Sequence, residues 1–218
     1  MICYTPPVND GLEVIYQDEF IIVLNKPSGL LSVPGRGEDK QDCLVSRVKH
    51  EYPSALIIHR LDMSTSGIIV LALNKKVHRQ VSELFAMQKI EKKYIAVVEG
   101  DIKIMKGKVN QPLICDWPNR PKQIISQNHG KPSLTYYRVI ESYKDNNTCR
   151  VELTPKTGRT HQLRVHMQYL GHPILGDELY GSVIVAKKSK RLLLHATSIE
   201  FQHPVFDSEL NLTSPVPF

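Results

Sequence analysis

The sequence predicts an α+β protein built on a mixed, largely antiparallel sheet with flanking helices and loops. Three observations predict it. Short β-rich runs recur along all 218 residues and outnumber the helical patterns. Several of these runs follow one another through short turns rather than through a helix. No strand leads through a Gly-rich first turn into a helix, which disfavours a dinucleotide fold. A hydrophobic share of 41% suffices for a core, and no apolar run approaches the roughly 18 residues a membrane span needs.

In order along the chain, residues 1–11 are polar and Pro-containing and read as a tail, as do the Pro-broken residues 214–218. Between them, 12–213 reads as one domain. Phe20–Leu24 is the first strand, and Asp42–Tyr52 is helical with Leu44, Val45 and Val48 on one side. Gly67–Leu73 is an almost wholly apolar strand. Asn74 then caps a helix in which Val77, Val81, Leu84, Phe85 and Gln88 recur at i, i+4, i+7, i+8 and i+11. Tyr94–Val98 is a strand, and Pro112–Gln123 is expected as a long irregular loop. Leu134–Ile140 and Thr148–Leu153 are strands. In the second, Cys149, Val151 and Leu153 alternate with Thr148, Arg150 and Glu152, the mark of one buried face. Thr160–Leu170 is a helix with Leu163, Met167 and Leu170 on one stripe and Gly171 as its stop. Leu192–Phe201 is a further strand.

With 28 Lys and Arg against 22 Asp and Glu, the net charge of +6 is too modest to name a partner. Cysteines at 3, 43, 115 and 149 stand far apart, with neither zinc-site pairs nor the density of a disulfide scaffold, so reduced thiols in a cytoplasm are expected. The N-terminus has no basic stretch followed by an apolar one, and no signal peptide is expected.

Four segments depart from ordinary patterning. His59-Arg60-Leu61-Asp62-Met63-Ser64-Thr65-Ser66-Gly67 stands at the mouth of the apolar strand. A carboxylate there, ionised at neutral pH, can act as a nucleophile without a general base; a plain turn leading into the strand is the competing reading. Thr157–His166 feeds the third helix and carries Arg159, His161, Arg164 and His166. Its histidines are five apart, off one helical face, so no metal is expected. An Arg near a helix start can pair with a carboxylate or grip phosphate, and a solvated polar face is the alternative for Arg159 and His161. Glu91–Val98 opens with Lys92-Lys93-Tyr94, where the Tyr ring is either core or a stacking surface for a nucleobase. Pro112–Gln123 with Asn128–Pro132 holds the single Trp among prolines and cations. Such a mixture suits splayed RNA, or else Trp117 simply pins the loop.

In combination these segments resemble the RluA family of pseudouridine synthases. His59-Arg60-Leu61-Asp62 with Thr65-Ser66-Gly67 resembles its signature. The order Asn25–Gly29, that signature, Lys93-Tyr94, Gly158–His166 and Arg191–Ala196 is similar to the family's order, over nearly the whole chain. The 112–123 loop and the short N-terminus resemble the dual-specificity branch, which modifies large-subunit (23S) ribosomal RNA and a tRNA anticodon stem-loop. With about ten residues before the first strand, no S4-type RNA-binding domain is expected.

The resemblance implies the pseudouridine synthase catalytic fold and an isomerisation of uridine to pseudouridine, with no cofactor and no metal. It makes Asp62 the nucleophile, acting at uracil C6, at ribose C1′ or by promoting elimination across the sugar. It makes Tyr94 the ring that stacks on uracil and assists removal of the C5 proton, and Arg164 the basic partner that pairs with Asp62. Leu193 and Leu194 would form the apolar wall under the base. A stacked uridine must leave the helix at a cost of a few kcal/mol, and Arg60, two residues from Asp62, is expected to fill the vacated space. Arg120, Lys122, Lys131, Lys156 and Arg159 are the expected phosphate contacts. The partners implied are ribosomal RNA and tRNA, with no membrane, and a monomer in the cytoplasm. Alternatives are a paralogue with a single different RNA target, a catalytically silent RNA-binding protein and an RNA glycosidase.

Overall fold

The computed structural model describes residues 4–218; the first three residues of the expected tail lie outside them. In chain order the elements are β1 (Val14–Gln17), β2 (Ile21–Lys26), α1 (Leu44–Glu51), β3 (Leu56–Ile57), β4 (Ser66–Ala72), α2 (Lys75–Ala86), β5 (Glu91–Glu99) and β6 (Lys106–Asn110). There follow β7 (Leu113–Cys115), β8 (Gln123–Ile125), β9 (Leu134–Tyr143), β10 (Thr148–Pro155), α3 (Gln162–Tyr169), α4 (Val183–Lys187), β11 (Leu194–Gln202) and β12 (Glu209–Thr213). The fold is α+β as expected, and the ladders β1–β2, β2–β4, β3–β4, β5–β10, β10–β9, β9–β6, β7–β8 and β11–β12 are all antiparallel. No helix among the described residues is long and apolar enough to cross a membrane.

The chain packs as two units: one is the chain up to Glu91 with Ala196–Pro217, the other Lys92–His195 with Phe218. In the first unit, β2 and β4 are apolar at nearly every position because both of their faces are covered. Ile21, Val23, Ile68 and Val70 pack with Val77 and Val81 of α2. The alternate residues Ile22, Leu24, Ile69 and Leu71 pack with Leu44 and Val48 of α1. Asn74 caps α2 as its sequence predicts, accepting the Val77 N–H at 2.9 Å. The helix expected over 42–52 is shorter, since Cys43 is its cap rather than a member. The N-terminal stretch is tied down: Arg47 donates to the Pro7 carbonyl at 2.7 Å, and Tyr4 Oη accepts the Leu31 N–H at 3.0 Å.

In the second unit, Ala96, Val98, Tyr137, Val139, Cys149, Val151 and Leu153 face α3 through Leu163 and Met167. The opposite positions, including Tyr136, Arg138 and Glu152, are not core, so these strands alternate as the sequence predicts. Beyond Leu170, the Gly171 N–H bonds the Gln168 carbonyl and the His172 N–H that of Met167, both at 2.9 Å. This is the glycine stop the sequence predicts, with Gly171 at φ +83°.

Two expectations change. The segment 112–123 is largely a hairpin: β7 and β8 pair with Leu113 opposite Ile125, joined through a 3-10 turn at Trp117–Asn119. Three-residue strands among prolines carry no visible period. Of the two residues for which a solvated polar face is the alternative, His161 is buried and Arg159 exposed, and the helix starts at Gln162 because His161 is left-handed at φ 53°.

Candidate active site

The nine residues His59–Gly67 belong to the first unit, and their backbone is held from outside. The Leu61 carbonyl accepts Ser32 Oγ–H at 2.7 Å, and Ser32 Oγ accepts the Leu61 N–H at 3.2 Å. The Asp62 carbonyl accepts the Thr65 N–H at 3.1 Å, closing a turn. The Met63 carbonyl accepts the Gly29 N–H at 2.8 Å and Lys26 Nζ at 3.1 Å, and the Ser64 carbonyl accepts Ser28 Oγ–H at 2.7 Å. Every carbonyl from Leu61 to Ser64 thus has a donor, which fixes where the half-buried Asp62 side chain starts. Lys26 is 0% exposed; a buried ammonium costs several kcal/mol unless its donors are satisfied. It also donates to the carbonyls of Pro27 and Leu30, each at 2.7 Å. His59 Nε2 accepts the Val70 N–H at 3.0 Å, joining the motif to β4. Gly67, at φ +110°, ends it where a side chain would run into the Ala196 backbone. Arg60 is exposed.

The second unit carries Tyr94, Arg164, Leu193 and Leu194. Three polar side chains of α3 point inward and all are bonded. Gln162 Nε2 donates to the Leu134 carbonyl and Thr135 Oγ1, while its Oε1 accepts from Thr157 Oγ1 and the Arg159 N–H. His166 bonds the Gln111 carbonyl at 3.0 Å and Thr135 Oγ1 at 2.9 Å, and burial pushes its pKa down, opposed by the bond to Gln111. Between them, Arg164 donates through Nε and Nη2 to both oxygens of Asp177, at 2.8 and 2.7 Å. The pair is almost wholly buried, with side-chain exposures of 4% and 0%. Asp177 Oδ1 also accepts the N–H groups of Leu179 and Tyr180. One edge of the guanidinium, Nε with Nη2, is therefore fixed by Asp177, which orients the whole plane.

Tyr94 lies on β5 opposite Leu153, half-buried against the same core as Leu193. Leu193 is held by its N–H on the Leu175 carbonyl and its own carbonyl on the Val97 N–H. Alternation turns Leu194 into the core at 2% exposure, so an apolar wall beside Tyr94 falls to Leu193 alone. Burial pulls the Lys92 ammonium below the ordinary lysine range, and Lys156 acts in the same direction. Of the expected phosphate contacts, Lys131 and Arg159 are exposed and Lys122 and Lys156 half-buried. Arg159 Nε donates to the Pro132 carbonyl at 3.2 Å. At the hairpin tip Trp117 is 66% exposed, and the Arg120 guanidinium lies 3.2 Å from its ring centroid. Trp117 thus carries a cation in solvent rather than pinning a loop.

Within the first unit the fold gathers Arg60 and Asp62 with Lys26, Ser28 and Ser32; within the second it gathers Arg164 with Asp177 and Tyr180, and Tyr94 with Leu193. Lys26, Ser32, Gln162, Asp177 and Tyr180 carry no role in the sequence reading. A signal for Asp177 exists: an acid following the apolar run Ile174-Leu175-Gly176 will be buried, and a buried acid demands a cation. Gly176 permits that burial, since at φ +75° any Cβ would collide with the Arg191 carbonyl.

The RNA pseudouridylate synthase family model matches residues 20–169. The chain belongs to that family, isomerases that convert uridine in RNA to pseudouridine, and within it to the RluA family. It is 49% identical over 215 residues to the dual-specificity RNA pseudouridine synthase RluA of Escherichia coli (strain K12), covering 99% of this chain and 98% of that one. With the protein of the same name from Pasteurella multocida (strain Pm70) it shares 48% identity over 218 residues, 100% of this chain and 99% of the other. Among solved structures, human RNA pseudouridylate synthase domain containing 1 aligns with a TM-score of 0.80 at 30% identity, over 98% of this chain and 87% of that one.

Proposed function

We propose that this enzyme isomerises specific uridines both in large-subunit ribosomal RNA and in a tRNA anticodon stem-loop, as a cytoplasmic monomer, with Asp62 as its nucleophile. The observation that carries the chemistry is the turn around Asp62, whose four successive carbonyls are all bonded. A backbone held this firmly presents the carboxylate without ordering cost when RNA arrives. The uracil N1–C1′ bond breaks, the base turns, and a C5–C1′ bond forms; C5 loses its proton and N1 gains one, so composition is unchanged. Asp62 initiates by attack at C6 or C1′ or by promoting elimination. Arg164, oriented by Asp177, is the basic catalytic residue that the family resemblance assigns to the reaction. Tyr94 stacks on the uracil and assists removal of the C5 proton, with Leu193 supplying apolar contact.

Arg60 fills the gap the flipped base leaves, a role its exposure and its place two residues before Asp62 support. Arg120, Lys122, Lys131, Lys156 and Arg159 neutralise phosphates. The dual specificity is supported by the 49% identity to a relative bearing that description.

The test is pseudouridine mapping of total RNA from cells lacking the gene, complemented with wild type or Asp62→Asn. Wild type is expected to restore sites in both RNA classes and Asp62→Asn in neither, while purified Asp62→Asn still binds RNA but releases no tritium from 5-labelled uridine. Restoration of a single site would replace dual specificity with a paralogue's single target. Retained turnover would remove Asp62 as nucleophile.

A further inference from the structure

We infer that Tyr180 is a positioning residue that ties the hairpin's grip on RNA to the Arg164–Asp177 ion pair. The inference rests on the reading above that the hairpin contacts RNA. Tyr180 is buried, and the residues around it belong to three parts of the second unit: β8, α3 with the residue that starts it, and the turn at Asp177. Its Oη accepts the N–H of Gln123, the first residue of β8, at 2.8 Å. The same oxygen is 2.7 Å from His161 Nδ1, the residue that starts α3. Its ring lies under Arg164, with the guanidinium carbon 5.1 Å from the centroid, and its N–H donates to Asp177.

This arrangement leaves little freedom. A phenol oxygen has one proton and two lone pairs, and the bonds to the Gln123 N–H and to His161 occupy two of these three positions, on two different elements. The hairpin's apolar side is seated on the same residues: Leu113 packs with Val165 of α3 and with Tyr180, and Ile125 joins them. The tip of the hairpin carries the exposed Trp117–Arg120 stack. An indole face with a cation in solvent suits a nucleobase beside its phosphate, and stacking of one base on such a ring is worth a tenfold to hundredfold change in affinity. A displacement of the hairpin is felt at Gln123, hence at Tyr180 Oη, and the ring that carries Oη is the one packed on Arg164. The hydroxyl sets where Trp117 is presented relative to the arginine that serves the chemistry.

The test is a double-mutant cycle on Tyr180→Phe and Trp117→Ala, reading kcat and KM on an RNA stem-loop, with thermal melting as the check on folding. Removing the hydroxyl is expected to raise KM about five- to tenfold and to leave kcat within twofold. Trp117→Ala is expected to raise KM by about tenfold or more. The double variant should be no worse than Trp117→Ala within twofold, because an anchor has no effect once the group it presents is gone. Effects that multiply would overturn the coupling, as would a Tyr180→Phe enzyme with unchanged KM or one that loses kcat alone. Wild-type KM in Trp117→Ala would instead overturn the reading that the hairpin grips RNA, and with it this inference. Should Tyr180→Phe melt early, Gln123→Ala serves as a control for the strand: it removes only a side chain and is expected to leave KM unchanged, and an equal rise there would overturn the assignment to the hydroxyl.

Discussion

Replacing Asp177 with Asn keeps the side chain's shape and removes one charge from a pair that water does not reach. The carboxylate accepts four hydrogen bonds, three on Oδ1 and one on Oδ2. An asparagine has one acceptor oxygen. If that oxygen takes the place of Oδ1, its amide faces Arg164 Nε donor to donor; turned over, the amide faces the N–H groups of Leu179 and Tyr180. Either way the guanidinium keeps its charge at 4% exposure while the Asp177 carboxylate that faced it is gone. Breaking a buried pair from one side costs about 3–5 kcal/mol, a large share of the roughly 5–15 kcal/mol that holds a domain folded. Urea denaturation of wild type and Asp177→Asn measures the loss directly. Activity should fall with it, through kcat, because the plane of Arg164 is no longer set. The double variant Arg164→Met with Asp177→Leu removes both charges, and it is expected to recover much of the stability and none of the activity. If Asp177→Asn loses less than about 1 kcal/mol and keeps its kcat, the fork does not orient Arg164.

Three further outcomes are expected. Lys26→Met leaves the Met63 carbonyl its Gly29 donor but takes the ammonium from those of Pro27 and Leu30; a loss of about 2–4 kcal/mol in urea denaturation is expected, with kcat lowered as the Asp62 turn loosens. His166 has its pKa pushed below the ordinary 6.5 by burial, so below pH 6.5 the unfolded chain takes up the proton first. Stability should therefore be unaffected by this group above that pH and fall as pH drops below it, by at most about 1.4 kcal/mol per pH unit; equilibrium denaturation from pH 7 to 5 should show a shallower fall in His166→Gln. Arg60→Ala and Arg60→Lys should both lower turnover on a structured stem-loop, because neither offers a planar group to stack where the base has left; wild-type rates in both would rule out the wedge.

What the sequence makes legible are features whose cause is local. The unbroken apolar run of β4 announces burial on both faces, and α1 and α2 cover them. Asn74 and Gly171 mark helix ends because capping is chemistry between residues a few positions apart. The hairpin β7–β8 escapes such reading: its strands have three residues each, and what seats them is Val165 and Tyr180, far along the chain. His161 has the type of a surface residue and is buried because Tyr180 satisfies it from nineteen positions away. For the proposed site, the motifs name Asp62, Tyr94 and Arg164, but not the groups that hold Asp62 and Arg164. Ser32, Lys26 and Asp177 act through contacts 29, 37 and 13 residues distant, which no local period encodes.

The same contrast separates stability from function differently in different parts of the molecule. On α3, Gln162, Arg164 and His166 recur at every second position with all three side chains buried, so the helix is held to Leu134, Thr135 and Gln111 by groups that would each be costly to leave unbonded. Substitutions there move Arg164 and destabilise the protein together, and a loss of activity alone would not distinguish the two. At the hairpin tip the reverse holds: Trp117 and Arg120 contact each other and solvent, so their loss removes little that supports the fold. The net charge of +6 acquires meaning on the same ground. Arg164 is buried against Asp177 and cannot draw RNA from a distance, whereas Arg120 and Lys131 stand exposed to solvent. Attraction of RNA and orientation of the buried guanidinium would therefore fall to different side chains, and salt should weaken the first while leaving the second almost untouched.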